Sequence, residues 1–127
     1  MKKILVIEDD FDIGEIVEMM LGAKYRVLLK RDSAKLVEVI LQFEPDIIIM
    51  DNYVGEKYAK DMIAEINFSD HKIVAPVILF SAHSDIETIA KKIGASGFIP
   101  KPFELNDVHQ CVNRVLLAIE QQQYLNI

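Results

Sequence analysis

The chain has 127 residues, 51% of them hydrophobic and 27% charged, a balance typical of one compact globular domain. Fourteen basic against twenty acidic residues leave a formal net charge of −6, and no lysine- and arginine-rich stripe is available to bind a nucleic-acid backbone. The single cysteine excludes a disulfide framework and a multi-cysteine zinc site. No apolar run reaches membrane-spanning length and no signal peptide is recognisable, so we expect a cytoplasmic protein without membrane contact.

Short apolar runs alternate with longer segments of helical periodicity along the chain. The runs predict five β-strands, at residues 4–7, 25–29, 46–50, 77–80 and 97–99. Each is followed by a segment in which apolar residues recur every three or four positions. The first predicted helix ends at Gly22, the second begins after Ser33 as N-cap and ends near Phe43, the fourth ends at Gly94, and the fifth reaches about Gln122.

This alternation of five βα units predicts a parallel sheet with helices on both faces. The first, third and fourth runs are uninterrupted and apolar, as expected for central strands. The second carries Arg26 and Lys30 and the fifth ends at Pro100, so both are predicted at the sheet edges. With right-handed crossovers, this pattern predicts a flavodoxin-like, doubly wound (βα)5 fold with strand order 2-1-3-4-5. Its binding crevice would open at the carboxyl ends of the first and third strands.

Polar residues follow four of the predicted strands at that end of the sheet: Glu8, Asp9, Asp10, Asp51, Ser81 and Lys101. Taken singly, each has a structural explanation as a helix cap, a turn residue or an exposed charge. Taken together, three nearby carboxylates need a counter-ion, and hard oxygen ligands suit Mg²⁺ or Mn²⁺. A carboxylate can itself attack a phosphoryl group, while a lysine and a hydroxyl bind the phosphoryl oxygens. Metal-assisted phosphoryl transfer to Asp51 is therefore the chemistry that these residues favour.

Four segments of the sequence resemble the motifs of one family in the correct order. They are KILVIEDD at residues 3–10, PDIIIMD at 45–51, PVILFSA at 76–82 and GASGFIPKPF at 94–103. Over essentially its whole length the chain resembles the receiver domain of response regulators in two-component signalling. The resemblance implies a domain over residues 1–123, a tail or linker start at 124–127, and no output domain in this chain.

The resemblance also implies a role for each matching residue. Asp51 would accept the phosphoryl group from a sensor histidine kinase or a histidine phosphotransfer protein. The cation, Mg²⁺ or Mn²⁺, would be held by Glu8, Asp9, Asp51 and the backbone carbonyl of Tyr53. Lys101 would pair with the phosphoryl oxygens, and the bond between Lys101 and Pro102 would be cis.

The switching step is implied by the same family. The Ser81 hydroxyl would turn inward to hydrogen-bond near the phosphoryl group, and Phe98 would follow it. Repacking would then alter the surface of the fourth helix, fifth strand and fifth helix, which binds a downstream effector or a second copy. Ala82 and His83 would form the pocket rim. Such a domain catalyses its own phosphorylation and dephosphorylation, and no turnover of an external substrate is expected.

The sequence departs from the family pattern in the loop after Asp51. Gly55 stands where the family usually has proline, and Ala59 stands where it usually has glycine, so we expect a loop that is more flexible and differently turned. Two alternatives stay open. One is a binding module that works unphosphorylated, and the other is a haloacid-dehalogenase-like phosphatase. The phosphatase is disfavoured because Tyr53 occupies the position of its second aspartate.

Overall fold

The computed structural model describes residues 1–125, and they fold into a five-stranded parallel sheet flanked by five helices and extended by a small hairpin. The main sheet contains β1 (Lys3–Ile7), β2 (Arg26–Lys30), β3 (Ile47–Asp51), β6 (Val77–Ser81) and β7 (Gly97–Pro100). The helices are α1 (Phe11–Gly22), α2 (Leu36–Phe43), α3 (Ala59–Asn67), α4 (Ile86–Ile93) and α5 (Leu105–Leu125). The hairpin consists of β4 (Tyr53–Val54) and β5 (Lys57–Tyr58).

The strand order is β2-β1-β3-β6-β7, and every neighbouring pair is parallel. Since β6 and β7 are the fourth and fifth predicted strands, the predicted order 2-1-3-4-5 is confirmed, with β2 and β7 at the edges. In register, Ile7 pairs with Met50 and Asp51 with Phe80. The carboxyl ends of the central strands therefore reach the same edge of the sheet.

Two hydrophobic cores lie on opposite faces of the sheet because successive strand side chains point in opposite directions. Leu5 and Ile7 face the core beneath α2, α3 and α4, whereas Ile4 and Val6 face the core beneath α1 and α5. All four side chains are at most 1% exposed. Burial on both faces explains why the central strands are continuous apolar runs. The two cores hold the sheet in place, and with it the strand ends that carry the polar residues.

The helix ends predicted at Gly22 and Gly94 are accurate. Helix α4 ends at Ile93 and is capped by Gly94, whose φ of +80° lies in the left-handed region, and the Ala95 N–H donates back to the Ala90 carbonyl at 2.9 Å. The predicted Ser33 cap of α2 is wrong. The Asp32 carboxylate instead accepts the Ala34 N–H at 3.0 Å, and this local turn delays the helix until Leu36.

The last helix is longer than predicted, because α5 continues to Leu125 rather than ending near Gln122. The predicted tail at 124–127 thus begins within the helix, while residues 126 and 127 lie outside the described part of the chain. Across residues 1–125, no helix has both the length and the hydropathy needed to cross a bilayer.

Substituting Gly97 tests how closely β7 packs on α5. A Cβ at this position would lie 3.1 Å from the Cys111 Sγ and 3.3 Å from a Val115 methyl carbon, so Gly97→Ala should destabilise the fold by about 1–3 kcal/mol. Urea unfolding followed by circular dichroism measures the change. Gly22→Ala is the control: it meets no atom within 4 Å and should leave stability unchanged or slightly raised. Equal unfolding free energies for the two variants would contradict this packing.

Candidate functional site

Four predicted site residues lie at the carboxyl ends of four adjacent strands. Glu8 directly follows β1, Asp51 ends β3, Ser81 ends β6 and Lys101 directly follows β7. The ladder hydrogen bonds continue into these ends, because the Glu8 N–H donates to Lys30 and the Lys101 N–H donates to Ser81. Their backbones are thereby held by the sheet itself. The structure brings the predicted residues to one rim.

Lys101 joins two carboxylates at the centre of this rim. Its Nζ lies 2.9 Å from Glu8 Oε1 and 2.9 Å from Asp51 Oδ2, and it also lies 4.6 Å from the centroid of the Phe80 ring. The Glu8 side chain is completely buried, while those of Lys101 and Asp51 are 14% and 17% exposed. Such charge-assisted bonds are strong at low solvent exposure, so one ammonium group holds two acids in place.

Burial and crowding of the carboxylates shift the acid–base properties of the site. Burial raises the pKa of Glu8 to about 7, and its hydrogen bond with Asp51 acts in the same direction, while Lys101 only partly opposes them. Burial by itself would lower the pKa of Lys101, but its hydrogen bonds to Glu8 and Asp51 outweigh that effect and raise the pKa. Lys101 therefore keeps its charge at neutral pH, whereas the pKa of the Glu8 carboxyl group is raised towards neutrality.

A third carboxylate completes an acidic cluster. Oxygen atoms of Glu8, Asp9 and Asp51 all lie within 4.8 Å of one another. Glu8 Oε2 is buried and has no hydrogen-bond partner among residues 1–125. This oxygen could therefore accept a hydrogen bond or bind a cation. Hard oxygen donors at this spacing suit a divalent cation such as Mg²⁺. The residues present therefore fit the metal that the sequence predicts.

The loop with the altered family pattern forms the β4–β5 hairpin and contacts this cluster. The Gly55 N–H donates to Asp9 Oδ2 at 2.9 Å, and Gly55 has a φ of +62°. Proline could supply neither the N–H nor this φ. Sequence reasoning missed the contact, although the glycine in place of proline was its signal. The exposed Tyr53 and Tyr58 rings contact each other across the hairpin in a tilted arrangement, with centroids 4.8 Å apart and an interplanar angle of 56°.

The remaining predicted residues surround the cluster. Ser81 is 7% exposed, and its Oγ accepts the His83 N–H at 3.1 Å, which leaves the hydroxyl proton free to donate elsewhere. Ala82 and His83 are exposed at the rim. His83 Nδ1 accepts the Asp85 N–H at 3.0 Å, so an imidazole, rather than either nearby serine, hydrogen-bonds the start of α4. Phe98 is half-buried against the core beneath α4.

Family comparison agrees with this geometry. The model for the response regulator receiver domain matches residues 4–113. Transcriptional regulatory protein KdpE of Staphylococcus aureus is 28% identical over 128 residues, covering 98% of this chain and 54% of that protein. DNA-binding transcriptional regulator NtrC of Escherichia coli is 27% identical over 121 residues, covering 93% of this chain and 25% of that protein. The chain thus spans about half of the one relative and a quarter of the other.

Solved structures share the fold. Chemotaxis protein CheY4 of Vibrio cholerae aligns with a TM-score of 0.80 at 21% identity, covering 91% of this chain and 98% of that one. A response regulator receiver domain protein from Clostridium thermocellum aligns with a TM-score of 0.79 at 24% identity, covering 98% and 99%. The doubly wound sheet with acids and a lysine at its carboxyl edge is consistent with the receiver class of α/β domain. The chain belongs to the response regulator receiver domain family, whose members are phosphoacceptor signalling domains of two-component systems.

The raised pKa of Glu8 predicts how stability of the metal-free protein depends on pH. Because the folded state binds this proton more tightly than the unfolded state, the stabilisation is complete below pH 4.5 and is lost as the pH rises through about 7. Each pKa unit corresponds to about 1.4 kcal/mol, so the loss amounts to a few kcal/mol. Urea titrations in EDTA from pH 4 to 8 measure it. Glu8→Gln should lack this loss, and parallel profiles for both proteins would contradict the prediction.

Proposed function

We propose that this chain is a phosphoacceptor switch in which Asp51 accepts a phosphoryl group from a histidine kinase or a histidine phosphotransfer protein. The observation that carries the proposal is the bridge from Lys101 to Glu8 and Asp51, with Asp9 beside it. This arrangement combines a nucleophilic carboxylate with a fixed cation and a set of metal ligands. The family's general role supports the proposal.

The proposed transfer uses the side chains of Asp51, Lys101 and Ser81. A carboxylate oxygen of Asp51 forms a bond to phosphorus as the bond from phosphorus to the donor histidine nitrogen breaks, and the electron pair stays on the imidazole. Lys101, at 2.9 Å from Asp51, donates to the phosphoryl oxygens. The Ser81 hydroxyl donates its free proton to the same group after turning inward. A divalent cation, when bound, neutralises phosphoryl charge, and Glu8, Asp9, Asp51 and the backbone carbonyl of Tyr53 would hold it.

The proposed output is a change in the surface formed by α4, β7 and α5. Phe98 on β7 lines a cavity on this surface together with Ala90 and Lys91 of α4 and Cys111 of α5. Inward movement of Phe98 would fill space near Ser81 and reshape that cavity, and the surface would then bind an effector or a second copy. We further propose that residues 1–123 form the receiver unit, that it resides in the cytoplasm, and that it dephosphorylates itself without acting on an external substrate.

Phosphorylation with a small donor tests the proposal directly. Incubation with Mg²⁺ and acetyl phosphate should add one alkali-labile phosphoryl group, detected by mass spectrometry of the intact protein. Asp51→Asn should show no adduct, because an amide cannot act as the nucleophile, and EDTA should prevent the reaction in the wild-type protein.

Asp61→Asn is the matched control, since Asp61 is exposed on α3 and is not one of the three acids of the cluster. It should be phosphorylated like the wild type. Absence of an adduct on folded wild-type protein would rule out the phosphoacceptor proposal. A partner affinity that is identical for wild type, phosphorylated wild type and Asp51→Asn would favour the unphosphorylated binding module.

The hydrogen bond from Gly55 to Asp9 predicts a measurable effect on metal affinity. Gly55→Pro removes the N–H that orients the Asp9 carboxylate, and loss of such a supporting contact should weaken Mg²⁺ or Mn²⁺ binding by about tenfold or more. Isothermal titration calorimetry measures the affinity. Gly55→Ala retains the N–H, at a backbone cost of about 1–2 kcal/mol in the left-handed region, and should bind within a few-fold of wild type. An unchanged metal affinity in Gly55→Pro would contradict a role for the Gly55 N–H in metal binding.

A further inference from the structure

A second cavity lies between helices α3 and α4, and none of the three acids of the cluster lines it. Its volume is about 610 Å³. We call it the α3–α4 groove, and its main lining residues are Lys60, Ile63, Phe68, Ile89, Lys92 and Ile93. Asn52, the residue after Asp51, lies at its edge, and the Ala59 N–H donates to the Asn52 carbonyl at 2.8 Å.

The groove exposes apolar surface that the fold itself does not cover. Ile63 forms part of the core, while Ile89 and Ile93 are only half-buried along one side of α4. The Phe68 side chain, at the end of α3, is 86% exposed. An aromatic ring left in water beside two half-buried isoleucines is typical of an interaction surface rather than of a solvated helix face.

The charges around this apolar surface have one sign. Lys60 and Lys92 are exposed on either side of the groove. Among the described residues, neither of these lysines forms an ion pair. Other lysines nearby are paired, since Lys57 contacts Glu65 at 3.2 Å and Lys91 contacts Glu87 at 3.4 Å. Within residues 1–125, no aspartate or glutamate lines the groove.

This positive rim is unusual for a chain with a formal net charge of −6. Two unpaired ammonium groups flanking an apolar floor complement a segment that has large apolar side chains flanked by carboxylates. A second copy of this chain fits less well, because two proteins of the same net charge repel each other.

We propose that the α3–α4 groove binds an acidic, amphipathic segment of a partner protein. Its apolar side chains would contact Ile63, Ile89 and Ile93, and its carboxylates would pair with Lys60 and Lys92. The proposal goes beyond the phosphoacceptor function and does not depend on it. The groove uses the side of α4 that carries Ile89 and Lys92, whereas the α4–β7–α5 surface uses the side that carries Ala90 and Lys91.

Peptide selection tests the proposal without assuming a particular partner. A phage-displayed library of random 12-residue peptides is selected against the wild-type protein and, in parallel, against Lys60→Glu/Lys92→Glu. We expect wild-type protein to enrich peptides that combine several acidic residues with large apolar ones. The charge-reversed protein should lose this enrichment. Circular dichroism confirms that both proteins are folded.

The affinity of one enriched peptide for the wild type and for two variants then shows whether the peptide binds in the α3–α4 groove. Charge reversal at Lys60 and Lys92 should weaken its binding at least tenfold. The control variant Lys2→Glu/Lys24→Glu has the same net charge but changes exposed lysines outside the groove, and it should weaken binding less than twofold. Enrichment without an acidic bias, equal enrichment on both proteins, or equal weakening in both variants would each overturn the proposal. Wild-type dimerisation that is lost in Lys60→Glu/Lys92→Glu would assign the groove to a second copy and overturn it as well.

Discussion

The buried carboxylate of Glu8 is the constraint on which the site depends. Removing an isolated carboxylate from water costs several kcal/mol unless a positive or donor group compensates it. In this chain the compensation comes from Lys101, which lies 93 residues away in sequence and follows β7, whereas Glu8 follows β1. Two strands separate β1 and β7 in the sheet. The lysine therefore links the carboxyl ends of β1, β3 and β7 through its bonds to Glu8 and Asp51.

Lys101 compensates the burial of the Glu8 carboxylate only in part, and the part left uncompensated bears on metal binding. Lys101 satisfies one oxygen of Glu8, while the other stays buried without a partner in the described residues. A packed apolar residue at position 8 would avoid that desolvation cost, but it would remove a donor oxygen from the acidic cluster. Asp9 is held by the Gly55 N–H instead of by a cation side chain, so the cluster keeps a net negative charge. Stability is thus given up locally at the place where we propose that a metal ion and a phosphoryl group bind.

Sequence reasoning succeeded where the information is periodic or lies at the end of a strand. Continuous apolar runs identified the central strands. Because parallel strands end at a common edge, the sequence also predicted that Glu8, Asp51 and Lys101 lie close together, which the structure confirms. It failed where a local turn replaces an expected cap, or where a contact joins residues that are distant in sequence. The turn in which Asp32 accepts the Ala34 N–H stands where a Ser33 cap was expected, and α2 begins only at Leu36. Gly55 was noticed as a departure from the family pattern, but its bond to a carboxylate 46 residues earlier was not predicted. The roles of Tyr53 and Phe98 depend on a bound state, so they stay predictions.

Helix α4 connects the acidic site to both surfaces proposed for binding. Its first turn follows His83, whose N–H is bonded to Ser81, and its two long sides carry Lys91 towards β7 and Lys92 towards α3. A rigid helix cannot shift one side without shifting the other. Any displacement of α4 that accompanies a change at Ser81 would therefore alter the α3–α4 groove together with the α4–β7–α5 surface. By linkage, a segment that binds the groove more tightly in one state of α4 would favour the corresponding state of Asp51 by the same free energy.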